Sequence, residues 1–288
     1  MTKGGSGNLT LSGANTFTGA TTVSAGTLQF AKAASLYNGN TTLWTAANLT
    51  VASGATAAFN VGGSNDFTSG NLDTLVALGS STNGFQSGSV IGLDTSSGNF
   101  TYASNIANPN GGINGLGLTK LGSNTLILSG ANTYTGATTV SAGVLNIQNA
   151  DALGTTAAGT SVTSGAALQI QGGITTAAEA LTLSGAGVST DGALRNISGD
   201  NIFSGTITLG SASRIHSDAG TCSLTAATAI NLPPSASGTV GGLVRDSANT
   251  LLTGATVSAR QTLGNGQSVD VAVTQALFEG DALAQPTA

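Results

Sequence analysis

Few residues in this 288-residue chain could do chemistry, and their spacing limits what they could do. The tightest gathering is His216-Ser217-Asp218, which holds the three residue types of a hydrolase relay. In a strand, successive side chains point to opposite faces. Ser217 would then face away from His216 and Asp218, and three consecutive residues cannot form a nucleophile, base and orienting acid. A carbohydrate-cleaving reading uses Asp191, Asp200 and Asp218 instead. Asp200 and Asp218 are 18 residues apart, close to one turn of a stacked-coil fold. Strands stacked ~4.8 Å apart could bring two carboxyls to the separation of ~5–9.5 Å that glycoside hydrolysis uses. Against this, the 12 acids are scattered and Trp44 is the only tryptophan, so no aromatic platform accompanies them. We therefore expect no enzyme: no catalytic residue, no cofactor and no metal site is assigned. With Cys222 alone, neither a disulfide nor a thiolate zinc site can form within the chain. Calcium-binding nonapeptides (GGxGxDxUx) are absent.

Composition narrows the partners. Only 7% of residues are charged and the formal net charge is −5. The seven basic residues are spread from Lys3 to Arg260, so no cationic footprint for phosphate backbones or anionic lipid exists. Nucleic acid is excluded as a partner. No run of about 18 apolar residues is present, so no helical transmembrane segment is expected. The opening MTKGGSGNLTLSG has no apolar stretch of the signal-peptide kind. At 40% hydrophobic residues the chain must bury apolar surface. Its 43 glycines, with abundant Ser, Thr and Asn, favour short strands broken by tight corners over long helices.

The element that must position everything is a repeat. LTLSGANTFTGATTVSAGTL at 9–28 returns as LILSGANTYTGATTVSAGVL at 126–145, an offset of 117 with 17 of 20 positions identical. A decayed third copy runs through 197–215, where Ser198, Gly199, Asn201, Phe203, Gly205 and Thr208 keep their places. Within each copy apolar residues alternate with polar ones at period two, between Gly/Asn-bearing corners. Strand, corner, strand, corner and strand within about 20 residues is one coil of a solenoid. The alternation assigns Leu9, Leu11, Val23 and Leu28 to the core of the first copy, and Leu126, Leu128, Val140 and Leu145 to that of the second. Asn15, Asn132 and Asn201 share one corner position. They either bridge backbone groups or stack between coils, or else simply adopt positive φ. The aromatic slot of Phe17, Tyr134 and Phe203 reads as packing rather than a ligand platform.

These residues resemble the autotransporter-associated β-strand repeat, also called the passenger-associated transport repeat. The match is clear over 2–30 and 118–147 and continues in weaker form to about Thr225. The resemblance implies an all-β, right-handed parallel β-helix from the passenger of a secreted or surface-displayed bacterial protein. It implies a structural or adhesive stalk located outside the cell, with partners among host or cell-surface components. Head-to-tail self-assembly into extracellular fibres is the alternative, and a polysaccharide-active enzyme a second one. The expected β-helix covers 1–232 in about eleven coils of roughly 22 residues, rising ~4.8 Å each. Helix is expected only as a turn or two near Ala31–Leu36. Neither an export signal nor a translocator barrel is expected within the chain.

Composition shifts at Pro233-Pro234, where proline would interrupt a ladder. Residues 233–288 are expected to form a β cap, a small β module, or strands that pair with a neighbour, with Val269, Val271 and Val273 alternating.

Overall fold

Period-two strands that bury one face can stack only by laying each coil on the last, and the chain does so. The computed structural model describes residues 1–226 and the strands Ile230–Leu232, Val257–Thr262 and Ser268–Val273. Residues 233–256 and 274–288, which hold most of the expected C-terminal segment, lie outside the described residues. The two last strands pair antiparallel, Val257 opposite Val273, and join the long sheet through Asn231 opposite Arg260.

Everything before them is a parallel β-helix with three walls. The first wall holds Thr2–Lys3, Thr21–Val23 and Leu49–Val51, all parallel. The second runs from Asn8–Leu11 through Thr27–Phe30, Thr56–Asn60, Ser89–Asp94, Leu116–Leu121 and onward to Ile230–Leu232. The third begins at Phe100–Tyr102 and stacks Thr125–Leu128, Val144–Ile147, Ala167–Gln171, Leu194–Ser198 and Ile215–Ser217. The second wall has ten parallel rungs up to Leu232 rather than about eleven. The coils are unequal because of insertions: Leu9 to Leu28 takes 19 residues, whereas Ala57 to Ile91 takes 34.

Register turns the sequence alternation into columns. On the third wall Phe100, Leu126, Leu145, Leu168, Leu194 and Ile215 lie one above another. On the second, Phe30, Phe59, Leu93, Lys120, Val140, Val162, Leu183 and Leu209 do the same. Phe30 and Phe59 stack with centroids 5.6 Å apart and planes within 11°. Each leucine buried this way contributes about 1.5–3 kcal/mol.

The two copies of the repeat do not sit on the same walls. Thr21–Val23 belongs to the first wall, whereas its equivalent Thr138–Val140 belongs to the second. Thr27–Phe30 lies on the second wall and its equivalent Val144–Ile147 on the third. The intervening segment therefore advances the motif by one wall.

Part of that segment is an insertion with an unexpected helix, α1 (Ser69–Val76). The signal was legible. The Thr68 hydroxyl accepts from the Asn71 amide N–H at 3.3 Å, and the Asn71 side chain accepts from the Thr68 N–H at 3.0 Å. This is a capping box, and Leu72, Leu75 and Val76 follow on the one buried face. Near Ala31–Leu36 the only helix is the single 3-10 turn Ala33–Ser35, and two further such turns follow it, at Tyr37–Gly39 and Thr41–Leu43.

Candidate functional site

The residues with chemical potential are held apart. His216 and Asp218 lie together on the outer surface, Nε2 to Oδ1 at 3.2 Å. Ser217 takes the opposite side, where its Oγ donates to the Gly220 carbonyl at 3.0 Å and accepts from Asn196 Nδ2 at 3.0 Å. Asp218 also receives both Arg195 Nε and Nη2, and Arg195 Nη1 reaches Asp191 at 3.2 Å. Arg214 adds a contact to His216 Nδ1. Asp200 lies in the corner between Leu194–Ser198 and Asn201–Phe203, beside Thr221, whose N–H it accepts at 2.9 Å. Asp200 and Asp218 are thus not stacked, and the acids nearest Asp218 are committed to arginine. Burial pushes the Cys222 thiol up to about 11, which leaves it a poor nucleophile at neutral pH. Among the described residues no three His, Cys, Asp or Glu side chains gather as metal ligands.

The organised polar groups are inside, and they brace the coils. Lys120 is fully buried in the core column between Leu93 and Val140. Its Nζ donates to the carbonyls of Leu121 (2.7 Å), Gly122 (2.7 Å) and Ala142 (3.0 Å). Lys3, its equivalent, donates to Gly4 (3.1 Å), Gly5 (2.8 Å) and Ala25 (2.9 Å). An isolated buried ammonium is costly, and burial pushes Lys120 down to about 8 while nearby Asp94 opposes the shift. Three carbonyl acceptors further favour the charged form. No alternation pattern marks a lysine as core; the sequence carries only the recurrence of Thr2-Lys3 as Thr119-Lys120 at the same offset of 117.

The corner asparagines bridge coils. Asn132, 2% exposed, accepts from the Ile106 N–H of the coil before at 2.8 Å and donates to the Ala152 carbonyl of the coil after at 2.6 Å. Asn15 donates to the equivalent Ser35 carbonyl at 2.8 Å. Asn201 accepts from the Ile174 N–H at 2.7 Å and donates to Ser198 and Gly199 carbonyls. None of the three has positive φ, and none stacks on another.

The aromatic slot also serves this interior. The hydroxyls of buried Tyr134 and Thr138 are 2.6 Å apart. Thr138 is in register with Thr160, whose hydroxyl donates to Glu179 at 2.5 Å. Burial pushes the Glu179 carboxyl up to about 7. In the first copy Phe17 lacks the hydroxyl, and Tyr37 of the next coil supplies one to Thr21 at 3.2 Å while packing edge-on against Phe17 at 5.1 Å.

Seven of the eight residues assigned to the repeat core face inward: Val23, Leu28, Leu126, Leu128, Val140 and Leu145 are buried, and Leu11 is partly buried. Leu9 is 40% exposed, because Asn8–Leu11 is the outermost rung of its wall and only Thr27–Phe30 covers it.

Lysine, asparagine and aromatic braces at matching positions of two copies define a repeat solenoid whose order resides in its interior. The passenger-associated-transport-repeat family matches residues 1–30 and 118–147, so the chain carries two segments similar to that repeat. Over 81 residues it is 42% identical to the Adhesin BmaC autotransporter of Brucella suis biovar 1 (strain 1330). That stretch is 28% of this chain and 2% of the relative, so the chain spans a small part of the relative's length. No solved structure matches the chain. No helix among the described residues is long and apolar enough to cross a membrane.

Proposed function

We propose that the chain is a non-catalytic structural and adhesive stalk, displayed outside a bacterial cell as part of an autotransporter passenger. The observation that carries this reading is the repeat, whose buried braces recur within a continuous parallel ladder and whose sequence resembles that of an adhesin. A ladder in which each coil hydrogen-bonds the next makes a stiff spacer. A surface with few charges suits neutral partners on host or bacterial surfaces. In this reading the β-helix spans 1–232, and 233–288 form a cap or small module beyond Pro233-Pro234.

Beads coated with the purified chain should be retained on host-cell or bacterial monolayers above albumin-coated beads, with no turnover of glycan or ester substrates. Retention equal to albumin would refute adhesion. Turnover that disappears in His216→Ala or Asp218→Ala would refute the non-catalytic reading. The alternative is subunits joined head to tail as fibres. Light scattering at high concentration separates the two: filaments favour the fibre, monomers the stalk.

A further inference from the structure

The helix α1 belongs to the longest coil, and a cleft of about 270 Å³ opens between it and the loop 105–111 of the coil that follows. That volume sits just below the ~300–1,000 Å³ usual for small-molecule pockets, so it admits one ring rather than a long ligand. Both walls of the cleft are fixed. The buried Asn114 side chain donates to the carbonyls of Ser80 (3.0 Å) and Phe85 (2.8 Å), tying the loop to the α1 insertion. Asn108 accepts from the N–H groups of Leu116 and Thr135, at 3.0 Å each. The loop then runs through three consecutive positive-φ residues, Asn110 (56°), Gly111 (64°) and Gly112 (93°), and ends on Ile113, which is 76% exposed.

The chemistry of the lining selects the ligand. Asp73 is oriented by the buried Tyr102 hydroxyl, which donates to Oδ1 at 2.8 Å and leaves Oδ2 without a partner among the described residues. The exposed Asn105 amide likewise has none. Exposed Ala77 and half-buried Ala107 supply apolar surface beside them. With no basic residue in the lining, an anion is repelled. A single carboxylate is too little charge for a calcium cage and too few acids for glycoside hydrolysis. A carboxylate and an amide beside an apolar flank match a ring that presents hydroxyls on its edge and C–H groups on its face.

We propose that this cleft is a non-catalytic subsite for one neutral sugar ring. The proposal rests on the adhesive reading above and names the ligand class it would use. The test is saturation-transfer NMR of the full chain with free galactose, mannose, glucose, fucose and N-acetylglucosamine. At least one sugar should receive saturation at millimolar concentration, unaffected by EDTA. The signal should fall at least tenfold in both Asp73→Ala and Asn105→Ala, and persist in Asp218→Ala. Asn105 makes no bond within the described chain, so its variant keeps the test valid if Asp73→Ala misfolds. No saturation by any sugar, saturation that survives Asn105→Ala, or saturation lost to EDTA overturns the proposal. Bead retention in the Asn105→Ala variant separates the two readings. Retention with a dead cleft leaves adhesion standing, and sugar binding without retention leaves only the cleft.

Discussion

The ammonium of Lys120 reaches the carbonyl of Ala142 on the following coil at 3.0 Å, and Lys3 reaches the equivalent Ala25 at 2.9 Å. Each lysine therefore ties the corner after its own strand to the corner one coil on, from inside a column of apolar side chains. The methylene stem packs as a hydrophobe would. The charge sits where carbonyls that leave the ladder at a corner would otherwise lack donors.

Lys120→Met keeps the stem and removes the charge. Hydrogen bonds to a charged group contribute roughly 1.5–3 kcal/mol, so a loss of about 2 kcal/mol in urea unfolding is expected. Lys3→Met should cost less, because the first coil is covered on one side only and frays at lower free energy. Equal midpoints for Lys120→Met and the parent would show the cage to be energetically idle.

Glu179 sets a pH dependence. Its carboxyl is raised from 4.5 to about 7 by burial, so between those values the folded chain holds a proton that the unfolded chain has released. Stability from this group is complete below about 4.5 and declines as pH rises to about 7. The full difference is about 3 kcal/mol at ~1.4 kcal/mol per pH unit. Glu179→Gln, which still accepts from Thr160, should flatten the unfolding free energy between pH 5 and 8. The same slope in both proteins would place the titration elsewhere.

Two leucines at one position of the repeat should behave differently. Leu126 is fully buried and Leu9 is 40% exposed. Leu126→Ala should cost about 2–5 kcal/mol, and Leu9→Ala under about 1 kcal/mol. Thermal melts of the pair check this, and equal losses would mean that Leu9 is covered in solution.

Asn132→Ala strands the Ile106 N–H and the Ala152 carbonyl together, at about 1–3 kcal/mol for each buried group left unsatisfied. Asn15→Ala removes one bond from a half-buried corner and should cost about 1 kcal/mol or less. Hydrogen exchange at Ile106 gives an independent readout: its amide should lose protection in Asn132→Ala alone.

His216, Arg195 and Asp218 form a partly exposed surface network, and surface pairs contribute about 0–1 kcal/mol. Asp218→Ala should leave the melting transition within that margin.

The solenoid and its core phase were legible because Leu126, Leu128, Val140 and Leu145 alternate without interruption inside a copied motif. Burial of Lys120 was not, since period-two patterning classes lysine with the outward residues. The helix Ser69–Val76 was not expected, because eight residues carry too short an apolar stripe to stand out, although Thr68, Asn71 and the Leu72/Leu75/Val76 spacing mark it. The asparagine corners lay between, with their position readable from recurrence. Whether they bridge coils depends on which carbonyl the neighbouring coil presents, and that is a matter of register.

The shift of the motif by one wall makes the azimuth of each copy a variable of its own. Exposed Ala14 and Ala131 occupy the same place in the motif, yet the first lies on the path from the second wall back to the first, and the second on the path from the third wall to the second. Copying such a unit with an uneven insert lengthens the rod and also changes the compass bearing of its corner loop. A β-helix built this way presents its corner loop to more than one side without altering a residue of the motif.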